Sequence, residues 1–186
     1  MLILASGSEW RAALLRKAGV EFTILPTDLD EEPYQKSISD PKTLVETLAL
    51  KKAEECITLL GTKDQGPITI VAADTIVWIK DQIIGKPNDR QDAKRIISRL
   101  SGHTHQVWTG VCILADKTTV FSEKTEVTFR SMTSNEIESY LDTNDWIGKA
   151  GAYQIQKSIH PYVSHIKGDF DNIIGLPSKT IQYLSE

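Results

Sequence analysis

Apolar and polar positions follow two periods along this chain, and each change of period marks an element. Leu2-Ile3-Leu4 is a short, continuous apolar run, the pattern of a buried strand, and Ser6-Gly7-Ser8 follows it with small residues that permit a sharp turn. Ser8 reads as the N-cap of a helix that Gly19 would end. Glu21 to Pro26 alternates as a half-buried strand does. Asp40-Pro41 opens a second helix, with Asp as N-cap and Pro at the first helical position, and Gly61 is its expected stop. Val45, Leu48, Ala49, Cys56 and Leu60 form its apolar stripe. Lys52 falls on that stripe, whereas Lys51 lies about 100° round the helix beside Thr47, Glu54, Glu55 and Thr58.

Thr62 to Pro67 reads as a loop, and Ile68 to Ala73 as a buried strand that stops at Asp74. Thr75–Ile79 and Gln82–Ile84 read as a hairpin closed at Lys80-Asp81, which delivers Gly85-Lys86-Pro87. Ala93, Ile96, Ile97 and Leu100 have helical spacing, with Gly102 after them. Trp108–Leu114 and Thr119–Arg130 suit an antiparallel strand pair. Thr133-Ser-Asn-Glu136 is a capping box opening a helix that ends near Leu141. Asp145 to Gln154 mixes small residues with one tyrosine, the texture of a loop packed closely against a neighbour. Tyr162–Ile166 reads as a strand, Gly168–Asn172 as a turn, and Gly175-Leu-Pro177 as the lead into a last helix reaching Leu184.

Composition narrows the function classes. At 186 residues the chain is too short for two ordinary independent domains, so one unit over residues 1–186 is expected. A formal charge of −4 argues against a general nucleic-acid binder, and any polyanionic ligand must meet a local cluster of cations. Cys56 and Cys112 fit two buried thiols in a reducing compartment better than a disulfide framework. With no basic leader and no apolar run of spanning length, a cytoplasmic protein free of the membrane is expected.

Candidate chemistry gathers at a few positions. The turn before the first helix points backbone N–H groups and hydroxyls outward; with the helix dipole behind it and Arg11 in the first turn, it is a site for an anion such as phosphate. An ordinary capped helix with a solvated arginine gives the same pattern. Thr27 to Pro33 carries four carboxylates, read either as a solvated face or as the source of a cation ligand, since hard cations take oxygen donors. Lys52 either snorkels to water or leans into a phosphate site. Asp74, expected at a strand end, stands where open α/β sheets place ligands, and Lys86 projects from a loop fixed by Pro87. His103 and His105 could form half of a metal site, but the sequence supplies no matching partners.

Ser8, Arg11, Lys52, Lys86, Glu31 and Asp74 together could hold a triphosphate and its metal. In this setting the chain resembles the Maf family of nucleoside triphosphate pyrophosphatases. The likeness is carried by S-x-S-x-x-R at Ser6 to Arg11, Asp30-Glu31, Lys52-Ala53, A-D-T at Ala73 to Thr75, G-K-P at Gly85 to Pro87, Ser101-Gly102, Thr109-Gly110, G-K-A-G-A-Y at Gly148 to Tyr153 and N-x-x-G-L-P at Asn172 to Pro177. The resemblance implies an α/β fold, a mixed twisted sheet with flanking helices in an elongated two-lobed architecture with a central cleft. It implies hydrolysis between the α and β phosphates, a Mg²⁺ or Mn²⁺ cofactor and a homodimer. It makes Asp74 the proton acceptor, Glu31 and Asp74 the metal carboxylates, and Ser8, Arg11, Lys52 and Lys86 the phosphate ligands. Many members read S-x-S-P-R-R, whereas Ser8-Glu9-Trp10-Arg11 lacks the proline and the first arginine. The positions matching Trp10, Thr75 and Gln156 divide members preferring dTTP and UTP from those preferring 7-methyl-GTP. Thr75 and Gln156 look like the first group and Trp10 like the second, so pyrimidine nucleotides are expected to lead. A 7-methyl-GTP pyrophosphatase, a non-catalytic nucleotide-binding regulator and a nucleotide-sugar or small phosphate-ester hydrolase sharing only the phosphate site are the alternatives.

Overall fold

The protein, described here by a computed structural model over residues 1–61 and 67–185, is built on a seven-stranded mixed sheet. The expected Thr62–Pro67 loop lies largely outside the described residues. In chain order the elements are β1 Leu2–Leu4, α1 Glu9–Lys17, β2 Thr23–Ile24, α2 Glu32–Ser37, α3 Pro41–Leu60, β3 Thr69–Ile79, β4 Gln82–Ile84, α4 Arg90–Leu100, β5 Thr104–Leu114, β6 Thr118–Phe129, α5 Ser134–Leu141, β7 Val163–Lys167, α6 Phe170–Ile174 and α7 Ser178–Ser185. The strands run in the order β2-β1-β3-β5-β6-β7, with β4 paired to β3. β1 pairs in parallel with β2 and β3, and the remaining pairs are antiparallel.

The pleat of β3 sorts its side chains between two layers. Ile70, Ala72 and Ile76 pack with the α3 residues Leu44, Val45, Leu48, Ala49, Ala53 and Cys56. Val71 and Ala73 pack on the other side with Ala12 and Leu15 of α1 and with Leu176. Farther along the same strands, Val77, Ile79, Val107, Val127 and Phe129 join α4 and α5 in a separate cluster. The sheet thus bears a core at each end, the two lobes of the fold.

Gly110 sets how closely α3 approaches the sheet. A Cβ at that position would lie 2.2 Å from the Val45 carbonyl oxygen, and Gly110 stands opposite Asp74 in the β3–β5 register. Gly110→Ala is therefore expected to cost about 3 kcal/mol, the upper end of the usual range for overpacking, since backbone rather than a flexible side chain must move. Urea denaturation reads this directly; an unchanged midpoint would contradict the contact.

Several expectations change. β3 does not stop at Asp74 but continues to Ile79, because a lysine from α3 meets the carboxylate inside the strand and removes the reason for the strand to end. The half-buried strand at Glu21–Pro26 shrinks to Thr23–Ile24, both residues exposed on the sheet edge. The acidic loop closes at Glu32, where Pro33 helps to start α2. The Gly168–Asn172 turn is the start of α6, with Asp169 as its N-cap. Lys80 and Asp81 close the β3–β4 hairpin with φ of 49° and 58°, conformations that the sequence did not announce.

Candidate active site

The site originates in a gap along one edge of β3. β1 pairs with β3 from Thr69 to Val71 and β4 pairs with it from Val77 to Ile79, so between them this edge has no partner strand. A cavity of about 850 Å³ occupies that opening, within the range of small-molecule sites. Asp74 and Thr75 reach it from β3, Lys52 from α3, Glu31 from the acidic loop, Ser8 from the turn after β1, and Trp10 and Arg11 from the first turn of α1. The carboxyl end that opens into the site is therefore that of β1, as ligand placement in open α/β sheets requires.

One ammonium joins the two carboxylates. Lys52 Nζ donates to Glu31 Oε1 and to Asp74 Oδ1, each at 2.6 Å, and only 13% of the Lys52 side chain is exposed. The apolar-stripe lysine thus ends in a charged site rather than in water, while Lys51 pairs with Glu54 on the surface. Asp74 is 5% exposed, and its second oxygen, Oδ2, has no hydrogen-bond partner among the described residues. A buried carboxylate oxygen without a partner is costly, and it is free to accept from a water or bind a hard cation. Two carboxylates on one ammonium are oxygen donors of the kind Mg²⁺ and Mn²⁺ take; no group of three or more His, Cys, Asp or Glu ligands occurs among the described residues. Phosphate oxygens and water would complete such a shell.

The turn after β1 behaves as a capped helix start with a clamped arginine. Ser8 Oγ accepts from the Arg11 backbone N–H at 3.4 Å, and Ser6 Oγ accepts from the Ser8 N–H at 3.3 Å. Arg11 gives one N–H from each nitrogen to the protein: Nε to Gly175 O at 2.7 Å, Nη1 to Ser6 Oγ at 3.0 Å and Nη2 to Thr75 Oγ1 at 3.1 Å. A guanidinium has five N–H groups, so one remains on each terminal nitrogen. Burial lowers the Arg11 pKa, while the charges of Asp74 and Glu31 raise it.

Comparison with known proteins decides the family, for the family model described as Maf-like protein matches residues 1–186. The chain belongs to the Maf family. It is 40% identical to proteins named dTTP/UTP pyrophosphatase from Bacillus anthracis (strain CDC 684 / NRRL 3495), Bacillus thuringiensis subsp. konkukian (strain 97-27) and Bacillus cereus (strain AH820). Each match runs over 187 residues and covers 100% of this chain and 94% of the relative.

The remaining positions of the Maf motifs also converge. Lys86 is exposed but lines the cavity, as do Trp10 and Gln156. Gly151 N–H donates to Gly85 O at 3.0 Å, which ties the G-K-A-G-A-Y segment to the turn bearing Lys86. That segment adds Lys149, a cation the sequence reading passed over although it stands inside a quoted motif. Thr109, Asn172 and Gly175 stand in the quoted motifs without a role assigned from sequence, a threonine amid the apolar run of β5 being the available signal, and the Ser6 hydroxyl, expected to face an anion, accepts from Arg11 Nη1.

The two histidines diverge. His105 is 1% exposed, meets Tyr153 Oη through Nε2 at 2.8 Å, and burial drives its pKa down to about 3. His103 instead meets Ser101 O through Nδ1 at 2.8 Å. Cys56 and Cys112 are buried free thiols in one apolar cluster.

Proposed function

We propose that this chain hydrolyses nucleoside triphosphates between the α and β phosphates, releasing a nucleoside monophosphate and pyrophosphate, with dTTP and UTP as leading substrates. The names of its Bacillus relatives support the reaction and the base. The observation that carries the chemistry is the cavity-lining Asp74 carboxylate, with one oxygen pinned by Lys52 and the other buried and unpaired. Held in this way, the Asp74 carboxylate takes a proton from water as the water attacks the α phosphorus, the α–β phosphoanhydride bond breaks and pyrophosphate leaves. Lys52 keeps a third N–H for a phosphate oxygen. Arg11 offers its two unclaimed N–H groups, and Lys86 neutralises further charge. Glu31 and Asp74 would hold Mg²⁺ or Mn²⁺, whose charge when bound offsets that of the triphosphate.

Base choice follows from two cavity residues. The Gln156 amide has both a donor and an acceptor, which matches the edge of uracil or thymine. Trp10 stacks on any base and attracts a cationic methylated purine by about 0.5–2 kcal/mol. A hydrogen-bonding mismatch costs roughly 1–3 kcal/mol, so edge contacts outrank stacking. In a side-by-side panel kcat/KM should be highest for dTTP and UTP, and Trp10→Arg should lower 7-methyl-GTP against dTTP by roughly 2- to 30-fold. A wild-type optimum at 7-methyl-GTP would overturn the pyrimidine reading.

Among the described residues no helix is long and apolar enough to cross a membrane. A homodimer and a cytoplasmic location belong to the same proposal; sedimentation and cell fractionation test them.

A further inference from the structure

Behind Arg11 lies a chain of hydroxyl groups that the proposed chemistry does not use. Thr109 is fully buried on β5, opposite Thr75 in the register, and is not among the cavity-lining residues. Its Oγ1 donates to the Asn172 carbonyl oxygen at 2.9 Å. A hydroxyl has one proton, so the 2.9 Å contact between Thr75 Oγ1 and Thr109 Oγ1 must run with Thr75 as donor. Thr75 then meets Arg11 Nη2 as an acceptor, the role a guanidinium requires. The order is fixed from the cation inward: Arg11, Thr75, Thr109, Asn172.

The far end of the chain is anchored in the core. Asn172 is fully buried, and its Nδ2 donates to Val107 O and to Thr125 Oγ1, each at 3.0 Å. Three residues on, Gly175 accepts from Arg11 Nε, so the α6 segment grips the guanidinium directly and through both threonines. Gly175 has a φ of +111°, and a Cβ there would lie 3.2 Å from both Arg11 Nε and Thr75 Oγ1.

We propose that Thr109 is a positioning residue for the triphosphate, fixing through Thr75 the direction in which Arg11 presents its two remaining N–H groups. The nature of the ligand rests on the pyrophosphatase reading; the hydroxyl chain does not. Thr109→Val keeps the shape but removes both the proton for Asn172 and the acceptor for Thr75, whose half-buried hydroxyl is then free to turn away from Arg11. Substrate binding suffers and proton abstraction by Asp74 does not.

The test pairs steady-state kinetics on dTTP with calorimetric binding of inorganic tripolyphosphate. Thr109→Val should raise KM and the tripolyphosphate Kd together, by about fivefold to tenfold, with kcat within about twofold. Thr109→Ser should restore both constants. In an Arg11→Ala background Thr109→Val should change neither further, a coupling that a packing role would not produce. If Thr109→Val fails to fold, Thr109→Cys, with a feeble donor, must show the same rise. Unchanged KM and Kd, loss of thermal stability without a binding change, or an additive effect with Arg11→Ala would overturn the proposal. If the wild-type protein released no pyrophosphate, the pyrophosphatase reading alone would fail, and tripolyphosphate binding would still decide the role of Thr109.

Discussion

Asp74→Asn is expected to lower kcat for pyrophosphate release by about 10²–10⁴ while the protein still folds and binds triphosphate. Asn keeps the shape of Asp74 and an oxygen for Lys52, but it cannot take the proton from water. Folding survives because Lys52 keeps Glu31 at 2.6 Å, so the ammonium is not left without a counter-charge. Pyrophosphate release and nucleotide binding should therefore separate in this variant. A residual kcat above about a third of wild type would remove Asp74 from the role of base, since a positioned base contributes far more than that.

Lys52→Ala is expected to act on stability as well as turnover, because this ammonium bonds two carboxylates and, in the proposed reaction, a phosphate. Its removal leaves Glu31 and Asp74 facing each other without their shared cation, in a place where Asp74 is 5% exposed. Removing one partner of a buried ion pair costs about 3–5 kcal/mol, an upper range here because 30% of the Glu31 side chain is exposed. Turnover of dTTP should fall by at least about 10², with lost phosphate binding added to lost orientation of Asp74. Lys51→Ala, one position away, removes only the surface pair with Glu54 and should leave turnover within about twofold. Equal losses from the two substitutions would show that the helical face does not select the catalytic lysine.

That contrast was legible in the chain itself. The 3.6-residue period placed Lys52 with Val45, Ala49 and Cys56, and an ammonium there has to find either water or an anion. The caps were equally plain: Ser8, Asp40 and Thr133 each accept from the backbone three residues on, because an oxygen-bearing side chain at that offset satisfies a free N–H. Local chemistry of this kind lies within four residues of sequence.

Partners distant in sequence were not readable in the same way. The apolar run Ile68–Ala73 suggested a strand that ended at a charge, since an isolated carboxylate inside a sheet is prohibitive. The structure supplies the missing term from α3, and β3 runs on to Ile79. Arg11 posed the same problem: helix position and charge pointed it at an anion, but its bonds to Thr75 and Gly175 span 64 and 164 residues. No local pattern encodes them. Glu55 was placed beside Lys51 on the wetter side of its helix, yet its Oε1 accepts from the Asp28 N–H at 3.3 Å and steadies the loop that carries Glu31.

The gap in the β3 edge explains why the site could be listed before it could be located. β1 is three residues long and β4 three, so neither covers the middle of an eleven-residue strand. The lengths of β1 and β4 follow from their flanking turns, but that both lie along the same edge of β3 is a property of the topology. Asp74 and Thr75 are reached through that opening from opposite faces of the pleat. Asp74 pairs with Lys52, and its neighbour Thr75 accepts from Arg11.

Phosphorus-31 NMR of dTTP or UTP incubated with the protein and Mg²⁺ tests the central claim most directly. Cleavage between the α and β phosphates produces nucleoside monophosphate and pyrophosphate in equal amounts, with no nucleoside diphosphate at any time. Orthophosphate appearing with nucleoside diphosphate, or no product from any triphosphate in the panel, would contradict it.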